Sequence, residues 1–481
     1  MKPLAHFPGM HKVRGMTDNY DFIVIGGGSA GYAGASAAAG LGMSTLLVEG
    51  GREIGGLCIL RGCMPSKTLL ESGHRAEAIR EAGQFGLRAE YFGPDAAAIV
   101  ARKRRLIGEF ADYRRGQLES GRFDFARGAA AFTDPHTIEV RLQDGGLKRV
   151  SGRAFLIATG SRIGGPKVDG LDATGFWTSD DVLDAETIPE SVCILGGGAI
   201  ALELASYYAG LGVPASVVQR GAQVLRDMDA DIADALADAM GKRGIPIFRG
   251  TKLFRVSADE TGKTVHFEQD GNARTVTAAQ IILALGREPA IAGLSLEKAG
   301  VNTARGIVAE STQQCGTSHL FAAGDVCGPH EVVHIAIQQA ELAARNAARL
   351  LGKLPGELEH IDYALKLIAV FTHPEVAAVG LTERECIEQN IPHLKAIYPF
   401  ADHGKSIVHG ATDGFVKLLA DRDSRRLLGG ACVGPHASEL IHEIAVALRF
   451  GATAGQLAST PHYHPTLSEI WTYPAEELAA L

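Results

Sequence analysis

Cysteine is scarce in this chain: seven among 481 residues, at positions 58, 63, 193, 315, 327, 386 and 432. Only Cys58 and Cys63 are close in sequence and the count is odd, which excludes the paired disulfide framework of a small secreted domain. The first twenty residues, MKPLAHFPGMHKVRGMTDNY, hold no continuous apolar core of about 7–15 residues, so no secretion signal is read there. No run of about 18 apolar residues exists to span a membrane. Positive charge is in deficit as well: 47 Lys and Arg stand against 55 Asp and Glu, a net charge of −8. That balance attracts neither nucleic acid nor an anionic membrane surface, and neither is expected as a partner. These absences point to a soluble, cytoplasmic protein.

What the chain has in excess is glycine, 59 residues, against a usual share of about 7% and without any collagen-like period. Such an excess suggests tight turns and backbone lying close to ligands. With 46% hydrophobic residues the chain can bury several cores, and its length predicts about three or four domains. The most informative feature is an ungapped internal duplication. Residues 21–50, DFIVIGGGSAGYAGASAAAGLGMSTLLVEG, align with residues 191–220, SVCILGGGAIALELASYYAGLGVPASVVQR. Each copy reads as strand, glycine turn, alanine-rich helix and second strand, a βαβ unit that implies a right-handed crossover and an open α/β sheet.

Gly26, Gly28 and Gly31 supply G-x-G-x-x-G in the first copy; Gly196, Gly198 and Ala201 supply G-x-G-x-x-A in the second. These types permit a tight turn, backbone close to a pyrophosphate, and close helix–strand packing, with the helix N-terminus facing the phosphates. The ends of the second strands differ. Glu49 stands 23 residues after Gly26, where a carboxylate accepts hydrogen bonds from a ribose diol, so the first site reads as FAD. Gln219 stands at the same distance in the second copy, followed by Arg220 and, six residues on, Arg226. An amide with cations suits a ribose 2′-phosphate, so the second site reads as NADP(H), with NAD(H) the alternative and solvated loop cations the competing explanation of the arginines. Two further segments, FLIATG ending in Gly160 and IILALG ending in Gly286, read as buried parallel strands reaching a ligand crevice; HLFAAGDV, with Asp325, is a third. Beyond residue 356, LIAVF, GFVKLLA, LLGGACVG and ELIHEIAVALRF suggest an α+β domain.

Residues 55–73 read GGLCILRGCMPSKTLLESG. Pro65 suits a first helical position, which would place Cys63 at a helix N-terminus, where the dipole favours a thiolate. Lys67 adds positive charge one turn on. A five-residue separation on a bent segment brings two Cα atoms within disulfide reach, and a redox-active pair is the reading. Buried inert thiols would not need the flanking glycines, proline and lysine. Half a zinc site would need closer pairs with two more ligands, and no metal is expected. Near the C-terminus, His464 is a candidate acid–base group, because thiol–disulfide exchange needs a proton acceptor near neutrality. Glu469 either orients that ring or closes a capping box with Thr466; His462 reads as a structural neighbour.

GGLCILRGCMPSK resembles the corresponding segment of the class I pyridine nucleotide-disulfide oxidoreductases, a family that includes dihydrolipoamide dehydrogenase, glutathione reductase and mercuric reductase. The two glycine fingerprints, FAAGDV and HYHPTLSE extend the resemblance over nearly the whole chain. It implies an α/β fold with two Rossmann-like dinucleotide-binding domains and a C-terminal α+β dimerisation domain. The implied divisions are FAD-binding over 18–160 with a return segment over 287–355, NAD(P)-binding over 161–286, and an interface domain over 356–481. It implies a homodimer with shared active sites. Cys63 would face the flavin in a charge-transfer complex, and Cys58 would attack the substrate disulfide. Lys67 would lie near flavin N5, paired with Glu203. Thr159, Gly160 and Asp325 would line the FAD site, with Ala130 near the adenine and the segment up to His334 near the flavin. His464 would be the acid–base residue, held by Glu469.

Within the family, THPEV (372–376), TDGFVK (412–417) and GPHASELI (434–441) are most similar to dihydrolipoamide dehydrogenase. Ala201, Ala205, Arg220 and Arg226 resemble the NADPH-using members instead. Ala199 stands where many relatives have a bulky residue, which implies an open nicotinamide pocket. The chain has no cysteine after 432, which disfavours metal-ion reduction. The expected activity is electron transfer between NADP(H) and a small or lipoyl disulfide through FAD and Cys58–Cys63. A glutathione-reductase-type enzyme and a flavin redox sensor without turnover are the alternatives.

Overall fold

The computed structural model describes residues 16–165 and 168–481, so most of the leading segment discussed above lies outside the described residues. Two compact units are formed, each from three stretches of chain.

The first unit comprises Met1–Pro65, Arg104–Ile163 and Arg287–Asp362. In its sheet, Asn19–Ile25 lies parallel between Thr45–Glu49 and Leu147–Ile157. Asp124–Asp134 extends one side and Thr317–Ala322 the other, again parallel. The central strand reads FIVI and is buried throughout, the pattern of a parallel strand covered on both faces. Ser29–Gly40 follows it and packs on Val333–Leu350 through small residues: Ala30, Ala35 and Ala38 against Ala336, Ala340, Ala343 and Ala347. This explains the alanine-rich repeat: larger side chains would push the two helices apart. The strand Thr137–Leu142, antiparallel to its neighbours, was not expected from the sequence.

The second unit comprises Ser66–Lys103, Gly164–Gly286 and Tyr363–Leu481. It holds a five-stranded parallel sheet in the order Ile247–Phe248, Ala215–Val218, Val192–Leu195, Gln280–Leu283 and Trp177–Thr178. The helix after strand Val192–Leu195, Ala199–Gly210, begins and ends 170 residues after Ser29–Gly40, so the duplication read from sequence is a duplication of structure. A three-stranded antiparallel sheet spans Lys252–Asp259, Gly262–Gln269 and Asn272–Ala278. The C-terminal region is a five-stranded antiparallel sheet with helix Ala437–Arg449 against it, and its core includes Phe400, Ile441 and Trp471. The α/β fold with a C-terminal α+β domain is therefore present, with two strands, Glu375–Gly380 and His393–Pro399, that the apolar runs had not announced.

Lys417 is 1% exposed in this sheet and reaches Asp229 Oδ2 at 2.8 Å and Asp231 Oδ1 at 2.7 Å, at the start of helix Ala230–Lys242. Burial alone would raise the Asp229 pKa; Lys417 and the Glu383 and Arg384 amides outweigh it and hold the carboxyl low. Lys417→Met would leave that carboxylate buried without its cation and should cost about 3–5 kcal/mol, read as a lower thermal midpoint. Because the Asp229 pKa is depressed, this contribution in the wild type should be full above about pH 4 and fade as the pH falls further.

Candidate active site

The first glycine turn is shaped by its own backbone. Gly26 has φ +108°, and a Cβ there would lie 2.3 Å from the Ala158 carbonyl oxygen. A Cβ on Gly31 would lie 1.8 Å from the Gly26 oxygen, so the helix can start only with glycine at this point. Gly28 differs: its added Cβ would meet nothing closer than Gly56 Cα at 3.8 Å. Protein packing does not require glycine there, and the space in front of the helix N-terminus is what a bound pyrophosphate would use. Glu49 ends the second strand, with Oε2 accepting from Gly27 N at 2.7 Å and Oε1 from Gly51 N at 2.5 Å. The carboxylate thus braces the turn, a duty its spacing did not reveal.

The other residues expected around this cradle are in the same unit. Thr159 Oγ1 is buried without a hydrogen-bond partner, and Gly160 beside it faces open space. An orphaned hydroxyl at the end of a parallel strand fits a polar ligand in the crevice. Asp325 Oδ2 accepts from Ser161 Oγ at 2.6 Å, and Arg287 Nε donates to that same hydroxyl oxygen at 2.8 Å. Gln339 ties the following loop to helix Val333–Leu350, taking the Gly324 N–H at 2.7 Å and giving to the Gly328 oxygen at 2.8 Å. His334 is exposed at the beginning of that helix, and Ala130 is buried in strand Asp124–Asp134. These residues fit a flavin dinucleotide.

Cys58 lies in the short helix Gly56–Leu60, and Cys63 opens helix Cys63–Arg80. Pro65 is the third helical residue rather than the first, still within the turn whose N–H groups need no intrahelical acceptor. Gly62 lets the segment fold tightly beside Cys58: a Cβ there would come within 3.2 Å of Cys58 Cα and 3.1 Å of the Leu57 oxygen, and the backbone would have to give by a few tenths of an ångström. Both cysteines are thiols and are hydrogen-bonded to each other. The Cys63 partner, then burial, push the Cys58 pKa up, with Arg114 opposing. Charge on one sulfur therefore disfavours charge on the other. Arg114 stacks on Tyr32, Cζ 4.4 Å from the ring centroid, with Nε and Nη1 buried and unpartnered. No motif marked this cation.

In the second unit, Lys67 Nζ donates to both oxygens of buried Glu203 at 2.9 Å and sits 4.5 Å over the Phe371 ring. The Phe371 amide completes the carboxylate's contacts at 3.0 Å. The second glycine turn repeats the first: Gly196 has φ +128° with Ala284 O 2.3 Å from an added Cβ, whereas Gly198 and Gly286 face open space. Ala201 is fully buried, as close helix–strand packing demands. Gln219 lies against Gly197 as Glu49 lies against Gly27, but it donates to Gln223 O at 3.4 Å instead of accepting from the turn. Arg220 is exposed with no acidic partner among the described residues. Arg226 is exposed and 3.6 Å from Asp227.

His464 is 80% exposed, and its Nδ1 is 3.0 Å from Glu469 Oε2. The 3-10 turn Ser468–Trp471 has no side-chain cap, so Glu469 holds the histidine and forms no capping box. His462 is tied to Glu443 at 2.5 Å and to the Thr460 oxygen at 2.8 Å. The other oxygen of Glu469 faces a buried histidine, His403, at 3.3 Å, which sequence spacing gave no means of finding. With Nδ1–H given to the carboxylate, Nε2 of His464 is left outward as a proton acceptor.

Residues 20–340 match the family described as pyridine nucleotide-disulphide oxidoreductase, and residues 368–475 match its dimerisation domain. The chain is 33% identical over 464 residues to dihydrolipoyl dehydrogenase of Chlamydia muridarum, covering 96% of this chain and 97% of that one. Identity to the same enzyme of Chlorobaculum tepidum is 34%, with 96% and 97% covered. A mercuric reductase of Bacillus cereus is 31% identical, over 94% of this chain and 70% of its own. The Cu(II) complex of the HOCl-induced flavoprotein disulfide reductase RclA from Escherichia coli has a TM-score of 0.82 at 25% identity, with 96% and 100% covered. In Gly31→Ala the clash should cost about 1–3 kcal/mol and weaken flavin retention about tenfold, measured as the flavin-to-protein absorbance ratio after dialysis.

Proposed function

We propose a specific electron route on the premise that this chain belongs to the pyridine nucleotide-disulphide oxidoreductase family and is an FAD-dependent disulfide reductase using NAD(P)H. The family's dimerisation domain makes it a homodimer, and its substrate is a disulfide. The observation that carries the route is the Cys58–Cys63 pair, two hydrogen-bonded thiols at a helix N-terminus. FAD, when bound, supplies the two-electron carrier between nicotinamide and sulfur. Gly26, Gly28, Gly31, Glu49, Ala130, Thr159, Gly160, Asp325 and His334 are assigned to hold it. Gly196, Gly198, Ala201 and Gly286 are assigned to the nicotinamide dinucleotide, with Arg220 and Arg226 reading a 2′-phosphate. Gln219 supports NADP(H) because no carboxylate stands there to repel that phosphate.

In the sulfur half-reaction Cys58 passes its proton to His464 and attacks one sulfur of the substrate disulfide, forming a mixed disulfide and releasing one thiolate. His464, protonated and held by Glu469, gives that thiolate its proton. Cys63 then attacks Cys58, restoring the internal disulfide and releasing the second thiolate, which takes the remaining proton from solvent. The sum is NADPH + H⁺ + RSSR → NADP⁺ + 2 RSH. Lys67, fixed by Glu203, places a cation one helical turn beyond Cys63. His464 and Glu469 are assigned to the sulfur pair of the other protomer. A small or lipoyl disulfide is the proposed substrate, supported by the dihydrolipoyl dehydrogenase relatives. A cytoplasmic setting suits an enzyme whose thiols must be kept cycling. No helix among the described residues is long and apolar enough to cross a membrane.

Two substitutions test this. Cys63→Ser should remove the long-wavelength absorbance that a thiolate gives beside oxidised flavin, and persistence of the band would contradict the assignment. Arg220→Glu should raise KM for NADPH about tenfold or more relative to NADH, a loss of at least about 1.4 kcal/mol; an unchanged ratio removes the phosphate argument.

A further inference from the structure

The acid–base pair has a third member. His403 is fully buried between the turn Phe400–Asp402 and the short helix Gly404–Val408. Its Nδ1 is 2.8 Å from Ser406 Oγ, and its Nε2 is 3.3 Å from Glu469 Oε1, the oxygen opposite the one that meets His464. The Nε2 group has no well-aligned acceptor, and Glu469 is the carboxylate within ion-pair reach of it. A Ser406 hydroxyl donating to Nδ1 leaves the ring proton on Nε2, the ring nitrogen 3.3 Å from the carboxylate though not aligned on it; the other tautomer would set a lone pair against a negative charge. Tyr473 also faces the ring, edge-on at 6.3 Å and stacked on Tyr398 at 4.1 Å.

We propose that His403 is a positioning residue for His464, holding Oε1 of Glu469 so that Oε2 stays on Nδ1 of the exposed imidazole. This rests on the assignment of His464 as the acid–base group. The two histidines share one carboxylate and have different exposures: His464 meets solvent and exchanges protons, whereas His403 is sealed. Burial foremost, and the nearby His464, keep His403 in its neutral form against the pull of Glu469. A neutral N–H on Oε1 does two things. It stops the carboxylate rotating away from His464, and it draws off part of the negative charge that would otherwise favour the His464 imidazolium. Ser406 acts one step further out by selecting the tautomer.

The test is the pH dependence of kcat, using NADPH and whichever of lipoamide, glutathione disulfide or DTNB the wild-type holoenzyme reduces fastest. In the direction of disulfide reduction His464 must be protonated when the first thiolate leaves, so activity declines along an alkaline limb as it loses its proton. His403→Phe removes the donor and should move the midpoint of that limb upward by about 0.5–1 pH unit, with kcat about tenfold lower. His403→Gln, which retains an N–H donor, should show less than half that displacement. The inference is overturned if both variants keep the wild-type midpoint, if both are displaced equally, or if the Phe variant shifts downward. Should His403→Phe not fold, Ser406→Ala keeps the ring and frees its tautomer, and takes its place in the comparison with the same outcomes. His464→Gln separates the two levels of argument. If that variant leaves the alkaline limb intact, the assignment of His464 itself fails; if it abolishes the limb while the His403 variants do not move it, only the role of His403 fails.

Discussion

The close approach of Gly62 to the Cys58 backbone is the constraint on which the chemistry rests. A side chain at 62 would press on Cys58 Cα at 3.2 Å and shift the backbone that brings Cys58 and Cys63 close enough to share a proton. Sharing matters because adjacent sulfurs cannot both carry charge cheaply: ionisation of one raises the pKa of the other. Cys63 and burial both oppose ionisation of Cys58, so charge on one sulfur works against charge on the other. Arg114 lies on the Cys58 side of this balance, tempering a pKa that burial and Cys63 would otherwise drive higher.

The rest of each unit supplies ligand geometry at small expense in side chains. Both glycine turns use the same backbone shape, with the first glycine pressed on a strand-end carbonyl and the second facing open space. What distinguishes them is one residue at the end of the next strand. Glu49 accepts from the turn it borders, whereas Gln219 brings no carboxylate and is followed by Arg220, which has no acidic partner among the described residues. The two turns thus share one steric frame and differ in the charge placed beside it.

Legibility in the sequence followed the range of the interaction. The duplicated units were visible because a βαβ unit is local: glycine spacing, alanine content and apolar runs lie within thirty residues, and helix Ala199–Gly210 reproduces Ser29–Gly40 at the expected offset. The cysteine helix was visible for the same reason, apart from the position of Pro65. Local pattern stopped short at Glu469, where capping and histidine orientation predict the same spacing; the three-dimensional arrangement chose the histidine. The strand Thr137–Leu142 and residues His403, Arg114 and Lys417 were not legible. The strand pairs with near neighbours, Phe132 against Ile138 and Arg141 against Leu147, but the three side chains act through partners distant in sequence, and a buried histidine or lysine has no periodicity to announce it.

The central claim is that electrons pass through one sulfur pair and no other. Purified oxidised protein should be reduced anaerobically with one equivalent of NADPH, alkylated under denaturing conditions and mapped by mass spectrometry. The account predicts that labelling rises at Cys58 and Cys63 alone, from near zero to near completion, while the five other cysteines are labelled equally before and after. Loss of flavin colour with no new label on those two thiols would contradict it.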